Sequence, residues 1–405
     1  MKCVYFLDFF LTNICIYSIM LLSWVIAMKI HRAYQFRLYP NKEQEMLIYK
    51  TFGCTRFVYN YCLDLKRKNK YLTKFDLIKE LPKLKKEYPF LREVDSMSLQ
   101  NTITDLMVGF DKHIKGQGGY PRFKKKGVKE SFRTSYITSS YKKRVYENIK
   151  VDLKRRVIDL PKLKEVKIRG YRALNKLPGR ILNATVKEVG TRFYVSVCLE
   201  EELELPERVN NQAIGIDIGV KNLVVTSNKE YYGNPKYLAK YERKIKHLQQ
   251  ELSRKIKGSK NYIKCKKKIA EVYRKLQNAR KKMVEAIVSK ITKHHDIIIA
   301  ENLQVKKMLE NKNNHKNLRK EISNATFSEI IRILKYKSLW LNKIFIQVSP
   351  YYPSSQICSR CGNRNEEMKD IRVRELKCSK CGLEIERDYN ASINILKEEL
   401  KSYNN

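Results

Sequence analysis

Three acidic residues stand where they could support metal-dependent phosphodiester chemistry. Asp217 lies in the strand-like stretch QAIGIDIGVKN (212–222), Glu301 comes at the end of the apolar run DIIIAEN (296–302), and Asp388 begins a segment with helical periodicity. A carboxylate at the carboxyl end of a buried strand lies at the edge where α/β sheets hold reactive groups. Three such acids can hold two Mg²⁺ ions about 4 Å apart for phosphodiester hydrolysis. Each acid alone fits a surface charge or a helix cap, but we interpret the ordered set as catalytic.

The glycines beside Asp217 suggest open space on its face of the strand. Isoleucines alternate onto one face, and the acid shares the other face with Gly215 and Gly219. Because glycine has no side chain, this face is predicted to leave room for a metal ion or a phosphate backbone. A core strand with a single polar residue fits the same stretch.

Four of the ten cysteines form two C-x-x-C pairs near the carboxyl end. Cys358 and Cys361 make the first pair, Cys378 and Cys381 the second, and a glycine follows each pair. Four thiolates at this spacing are typical of a closed, structural Zn²⁺ site. The other six cysteines are scattered, which favours a reducing compartment over disulfides. We therefore expect a cytoplasmic protein associated with the nucleoid.

The charge of the chain predicts a polyanionic partner. Lysine and arginine number 84 against 42 acidic residues, giving a net charge of +42, which is more than solubility requires. The 26 tyrosines and 14 phenylalanines among them could stack on unpaired bases. With 43% apolar residues and few glycines and prolines, the chain is expected to be folded and not disordered. Nonspecific nucleic-acid binding would explain the charge equally well.

The first 27 residues differ from the rest of the chain. Residues 1–27 are almost continuously apolar, interrupted by Asp8 and Asn13, and long enough to span a membrane. Met28 then opens a basic, alternating segment typical of the start of a nucleic-acid-binding protein. We interpret residues 1–27 as upstream of the true start, with a membrane anchor as the alternative. A membrane is not an expected partner unless residues 1–27 are translated.

The first half of the chain shows a change of periodicity. Helical spacing runs from residue 41 to about residue 115, with Pro82 and Pro89 predicted to break the run. Alternating segments in residues 131–206 predict strands of a small barrel or sheet, and residues 29–38 could join them. The helical part would then be an insertion into a β-domain.

A glycine-rich basic loop at residues 116–127 follows the predicted helices. Its combination of charge and an aromatic ring predicts contact with nucleic acid, although a plain surface loop is the alternative. The predicted contacts are Arg56 in the helical part and Arg122, Phe123, Lys124, Lys125 and Lys126 in the loop.

The second half of the chain has the pattern of an α/β sheet. A strand follows Asp217, and residues 235–290 form a predicted lysine-rich helical hairpin with apolar positions every three or four residues. The buried strand ending near Glu301, a helix at about residues 327–343 and a strand at residues 344–348 come next.

Together, these segments resemble the TnpB family of transposon-encoded RNA-guided DNA endonucleases. The family is also called OrfB-type and is related to compact type V CRISPR effectors. The matching segments are RAYQFRLYPNKEQ, FGCTRFVYN, GYPRFKKK, GIDIGVKNL, AENL, SSQICSRCG, CSKCG and ERDYNASINI. One departure is Glu386, where the family usually has Asp, and this change leaves Asp388 intact.

The resemblance implies an α+β multidomain fold. Its expected parts are a β-barrel wedge domain at residues 28–40 and 131–206, a helical recognition domain with the basic loop at residues 41–130, a RuvC-like α/β nuclease domain of RNase H fold at residues 207–350 and 387–405, and an inserted zinc ribbon at residues 351–386.

The resemblance also implies a function. A guide RNA from the transposon end would direct Mg²⁺-dependent cleavage of double-stranded target DNA beside a short motif, with Asp217, Glu301 and Asp388 as catalytic metal ligands. Three alternatives stay open: a noncatalytic nucleic-acid-binding regulator, a transposase that joins strands itself, and a CRISPR effector proper.

Overall fold

The computed structural model describes residues 27–141, 144–171, 174–207, 212–235, 237–310, 326–370 and 372–403. The interpretation of the apolar residues 1–27 therefore concerns residues outside the described ranges, except for Ala27. Among the helices in the described ranges, none combines the length and the apolar character that a membrane span requires.

The first sheet joins the start of the chain to residues beyond the helical insertion. Within the described residues it has seven antiparallel strands in the order β2–β8–β9–β1–β7–β6–β5, and β3 and β4 form a separate hairpin. The strands are β1 (Ala27–Tyr39), β2 (Ser131–Ser135), β3 (Thr138–Tyr141), β4 (Arg144–Glu147), β5 (Lys150–Asp152), β6 (Val157–Leu160), β7 (Lys164–Arg169), β8 (Arg180–Val189) and β9 (Arg192–Glu204).

The opening strand pairs with the later strands, as the alternation predicted. β1 lies between β9 and β7, and its inward side chains, including Phe36 and Leu38, join the buried core of this sheet. β2 and β5 are the edge strands among the described residues. Asn148 lies at the base of the β3–β4 hairpin: its Nδ2 donates to the Ser135 carbonyl at 2.8 Å, and its Oδ1 accepts from the Ile137 N–H at 2.7 Å. These bonds hold the residue after the hairpin against the end of β2.

Three α-helices lie between β1 and β2: α1 (Lys42–Lys68), α2 (Lys74–Glu87) and α3 (Ser96–Ile114). α1 begins with a capping box, in which Asn41 and Gln44 bond each other's backbone N–H. The predicted break at Pro82 is wrong, because α2 continues through it. Buried Leu77, Leu81 and Leu84 hold α2 against its neighbours, and this packing outweighs the lost backbone hydrogen bond. α2 ends just before Pro89, as predicted.

The second sheet carries the candidate acids. Counted over the described chain, it has five strands in the order β12–β11–β10–β13–β14, and β10, β13 and β14 run parallel. The strands are β10 (Ala213–Asp217), β11 (Asn222–Thr226), β12 (Tyr231–Gly233), β13 (Ile297–Ala300) and β14 (Ile344–Gln347). The helices are α4 (Tyr237–Ser253), α5 (Lys260–His294), α6 (Val305–Glu310), α7 (Phe327–Trp340) and α8 (Arg387–Tyr403).

Helices cover both faces of this sheet. α5 and α7 pack on one face, where Val288 and Ile330 meet Ile216 in a buried core. α8 packs on the other face, where Ile395 meets Ile299. Between β14 and α8 lies a small module with the hairpin β15 (Glu375–Lys377) and β16 (Glu384–Glu386). β16 leads directly into α8, so the module is inserted in front of the last helix.

Candidate active site and cysteine cluster

Asp217 and Glu301 are neighbours at the carboxyl ends of two parallel strands. Ile216 pairs with Ala300, and the Glu301 N–H donates to the Ile216 carbonyl at 3.3 Å. Each acid is the next residue on its own strand, so the two side chains project to the same face. They share a hydrogen bond. Parallel pairing in this register brings together two acids that are 84 positions apart in the chain.

Asp388 reaches this edge on α8. The helix packs across β10, and the charge of Asp388 acts on both Asp217 and Glu301. Among the described residues, however, the acids are not a set whose ligand atoms all lie within 4.8 Å of one another. Because Asp217 and Glu301 touch, Asp388 is the outlying member, and its distance depends on the position of α8.

The structure corrects the prediction of open space beside Asp217. At Gly215, an added Cβ would overlap the Ser392 carbonyl oxygen and lie 2.8 Å from the Leu396 Cβ, so α8 occupies this space. Gly219 lies beyond the end of β10, where a Cβ would be 3.1 Å from the Asn222 carbonyl oxygen. The glycine at 215 therefore permits close packing of the helix that carries Asp388, and does not leave room for a metal ion.

The electrostatics of the acids favour retention of a proton or binding of a cation. Burial raises the pKa of Asp217 well above its ordinary value, and the charges of Glu301 and Asp388 add to the shift. Burial also raises the pKa of Glu301, against the opposing effects of its hydrogen bond with Asp217 and the charge of Arg387. A divalent cation would offset this accumulated negative charge.

Arg387 is a site residue that the sequence reasoning missed. Its Nη1 donates to the carbonyls of Asp370 at 2.7 Å and Val373 at 3.3 Å, and Nη2 donates to Ser355 Oγ at 3.3 Å. These bonds hold a half-buried positive charge next to the acids. The signal was its place in the ERDYN stretch, directly before Asp388.

The four predicted cysteines converge in the inserted module. All four Sγ atoms lie within 4.8 Å of one another, and none is in a disulfide. Gly362 and Gly382 follow the two pairs with φ values of 74° and 69°, a left-handed turn that glycine adopts without strain. Backbone N–H groups of Cys381 and Lys380 lower the pKa of Cys378 to about 6. A compact set of four sulfur ligands, one already inclined to ionise, fits a tetrahedral thiophilic metal ion.

Replacement of Cys378 by serine is expected to lower the metal content of the purified protein to less than about half of wild type, because a structural site needs all four thiolates. Inductively coupled plasma mass spectrometry would measure the content per chain. Cys198→Ser is the matched control, since Cys198 lies in β9, away from the cluster. A Cys378→Ser protein with wild-type metal content would contradict the assignment.

The structure anchors the basic loop on α1. Arg56 Nη1 lies 2.8 Å from Glu130 Oε1, which also accepts from the Gly127 N–H at 2.6 Å. Asn60 bonds the backbone N–H and carbonyl of Lys124. Both ends of the basic run are therefore fixed. Because the Arg56 guanidinium is half-buried and paired with a carboxylate, we assign it to holding the loop.

The remaining predicted contacts form an exposed surface. Arg122, Lys125 and Lys126 are exposed. Arg67 places its guanidinium 4.5 Å from the centre of the Phe123 ring. The Lys124 Nζ lies 4.1 Å from the centre of the Tyr59 ring. The loop thus presents cations beside aromatic rings, the combination that stacks on bases and neutralises phosphates.

Comparison with known families finds three matching segments. Residues 196–312 match an OrfB IS605 family model described as a probable transposase, and residues 28–74 match a related model described as a helix-turn-helix domain. Residues 327–395 match a model described as the Cas12f1-like TNB domain. In this chain, residues 28–74 form β1 and one continuous helix, α1, before α2 begins, so this segment has no helix-turn-helix.

Curated relatives cover most of the chain. A Streptomyces pristinaespiralis protein named "Putative RNA-guided DNA endonuclease" is 28% identical over 376 residues, covering 91% of this chain and 89% of the relative. InsQ of Escherichia coli K12, which carries the same description, is 28% identical over 387 residues, covering 91% of this chain and 92% of the relative.

Among solved structures, the chain is similar to a Cas12f1–sgRNA–target DNA complex, with 15% identity, a TM-score of 0.47 and coverage of 91% of this chain and 98% of that one. The family models and curated relatives confirm the resemblance predicted from the motifs.

Proposed function

We propose that this OrfB-type, or TnpB-like, chain is an RNA-guided, metal-dependent DNA endonuclease. The observation that carries the proposal is the contact of Asp217 with Glu301 at the carboxyl ends of two parallel strands. Helix α8 places Asp388 at the same end of the sheet. Curated relatives that bear the name of such endonucleases match about nine-tenths of the chain. Guide RNA and double-stranded target DNA are the corresponding partners, and the excess of positive charge suits both.

The acids would hold the catalytic metal ions. Bound Mg²⁺ would supply Lewis acidity and an activated water for in-line attack on a phosphodiester. Asp217 and Glu301 would contribute adjacent oxygen ligands from rigid strands, and Asp388 would contribute the third from α8. The positive charge of the Arg387 guanidinium lies beside the acids. Before metal binds, it offsets part of their electrostatic repulsion. The proposed domain is a RuvC-like nuclease that would cut DNA strands presented singly.

The second metal would be structural. We assign Zn²⁺ to Cys358, Cys361, Cys378 and Cys381, because four thiolates leave no open position for substrate. The proposed division follows the sheets: a wedge domain at residues 28–40 and 131–206, a recognition domain at 41–130, a nuclease domain at 207–350 and 387–405, and a zinc ribbon at 351–386.

Metal binding at the acids is expected to strengthen as pH rises. The pKa values of Asp217 and Glu301 are raised without metal, so a cation must displace protons that ordinary carboxylates would already have lost. Affinity should increase by up to about tenfold per pH unit for each proton released, as pH rises from the ordinary carboxyl range through the raised pKa values. Calorimetric titration with Mn²⁺ would measure this increase. Asp217→Asn should show no Mn²⁺ binding above background at any pH of this series, and a pH-independent wild-type affinity would contradict the prediction.

The basic loop is proposed to contact RNA. Lys125→Ala combined with Lys126→Ala is expected to weaken RNA binding and to reduce the slope of log affinity against log salt by about 0.7 for each phosphate that is no longer neutralised. The matched control is Lys83→Ala with Lys86→Ala on α2, which removes the same charge from another exposed surface. Filter binding over a salt series would measure both. Equal slopes for the two double variants would exclude the loop as a specific contact.

The proposal is tested most directly by the RNA that copurifies with the chain. Sequencing should find one abundant structured species, and replacing its guide portion should redirect Mg²⁺-dependent cleavage to a matching DNA. Strand transfer without RNA would identify a transposase instead. RNA and DNA binding without cleavage, with all three acids intact, would identify a noncatalytic regulator.

A further inference from the structure

The last helix, α8, is held between the second sheet and the cysteine module. One face carries Asp388 and Ser392, with Ser392 against β10. The opposite face carries Asn390, Asn394 and Lys397, because residues three to four positions apart share a helix face. The helix that supplies the third acid is therefore attached to two separate parts of the fold.

Two buried asparagines connect α8 to the segment around the first cysteine pair. The Asn390 Oδ1 accepts from the Ser359 N–H at 2.9 Å, and its Nδ2 donates to the Ile357 carbonyl at 2.7 Å. The Asn394 Nδ2 donates to the carbonyls of Ser354 at 2.7 Å and Ile357 at 2.6 Å. Asn390 is 0% exposed and Asn394 3%. These amides replace water as partners for backbone groups of the module.

Further bonds tie the same two parts together. The Lys397 Nζ donates to the Ser359 carbonyl at 2.6 Å, and Ser359 lies between the cysteines of the first pair. At the start of the helix, Arg387 bonds the carbonyls of Asp370 and Val373 in the same module. Movement of the cysteine module would therefore move α8 at its first turn and along its length.

Polar contacts suit this role better than apolar ones. An apolar face would bury similar area but allow the helix to slide, whereas a buried amide must keep its partners or lose their hydrogen bonds. The bonds of Asn390 and Asn394 fix the register of α8 against the module. Asp388 lies on the opposite face of the same helix, so the register of α8 also sets the position of Asp388. Asp388 is the acid that lies furthest from the other two.

We propose that Asn390 and Asn394 are positioning residues for Asp388, and that metal occupancy of the four cysteines is coupled through α8 to metal affinity at the acids. The inference rests on the proposed function of the acids as a metal site. Coupling of two binding equilibria is reciprocal, so an ordered cysteine module should strengthen cation binding at the acids. Outer residues that orient metal ligands typically change affinity by about 10- to 100-fold.

The test measures Mn²⁺ affinity of the full chain by electron paramagnetic resonance, with the signal of Asp217→Asn subtracted as background. In zinc-saturated protein, Asn390→Ala is expected to bind Mn²⁺ about tenfold or more weakly, while zinc content stays at the wild-type level. Asn363→Ala, which removes a peripheral 3.3 Å bond to Ser379 in the same module, is expected to match wild type. Cleavage by Asn390→Ala should recover at high Mn²⁺, because weaker affinity only raises the half-saturating Mn²⁺ concentration. Partial unfolding would instead lower cleavage at every Mn²⁺ concentration and leave the half-saturating concentration unchanged.

A second measurement tests the coupling without any substitution, in case the variant itself loses zinc. Wild-type chain stripped of zinc by a thiol-selective chelator should show the same weakening, and restored zinc should reverse it. Equal Mn²⁺ affinity in wild type, Asn390→Ala and zinc-free chain would overturn the inference alone. Absence of Mn²⁺ binding above background in wild type would overturn both the inference and the proposed metal site.

Discussion

Asp217→Asn is expected to reduce DNA cleavage by at least about a thousandfold, the lower range of losses when a central catalytic group is removed from a hydrolase. The amide keeps the shape of the side chain but cannot supply the negative charge that holds a divalent cation. RNA affinity should remain at the wild-type level, because the predicted RNA contacts lie on the loop after α3. Cleavage of a guide-matched DNA and RNA binding would be measured on the same preparation.

The same variant should be more stable than wild type without metal. The raised pKa of Asp217 means that its protonated form favours folding, and this contribution is lost as pH rises from the ordinary carboxyl range through the raised pKa. Asparagine has no such proton to lose, so the difference in melting temperature should widen with rising pH. Higher stability with lost cleavage would identify a functional charge that the fold does not need.

Asp111→Asn is the matched control for Asp217→Asn. Asp111 is exposed on α3, and the same chemical change there should alter neither cleavage nor stability. Wild-type cleavage by Asp217→Asn would end the proposal that this acid holds a catalytic metal. Equal melting temperatures for wild type and Asp217→Asn at every pH would show that ionisation of Asp217 does not destabilise the folded protein.

Gly215→Ala is expected to lower both stability and cleavage. The new Cβ would overlap the Ser392 carbonyl oxygen and lie 2.8 Å from Leu396, so α8 must move away from β10. Overpacking of this kind costs about 1–3 kcal/mol of unfolding free energy. Because α8 carries Asp388, the shift should also reduce cleavage by up to about a hundredfold, as misplacement of a reacting group by about 1 Å can do.

Gly233→Ala is the control in the same sheet. A Cβ at this position on β12 would meet Asn222 Oδ1 at 3.9 Å, an ordinary contact, so stability and cleavage should stay near wild type. Thermal unfolding and single-turnover cleavage would be compared for the two variants. A fully active, fully stable Gly215→Ala would show that α8 adapts without displacing Asp388.

Much of the fold follows from local patterns. Side-chain periodicity indicates which face of an element is buried. It therefore predicts the alternating strands β1 and β9, the amphipathic helices α4 and α5 and the buried strand β13. The cysteine spacing was equally local, since each C-x-x-C pair and its glycine make one turn. Pro82 shows the limit of local reasoning: its neighbours in space, not in sequence, keep α2 helical.

The amino-acid sequence by itself determined the four converging cysteines, the excess of positive charge and the two acids that end neighbouring strands. Only the tertiary structure decided what surrounds them. It filled the face beside Gly215 with α8, paired Arg56 with Glu130 and placed Arg387 next to the acids. The physical reason is that these outcomes depend on contacts between segments tens to hundreds of residues apart, and such contacts leave no periodic signal along the chain.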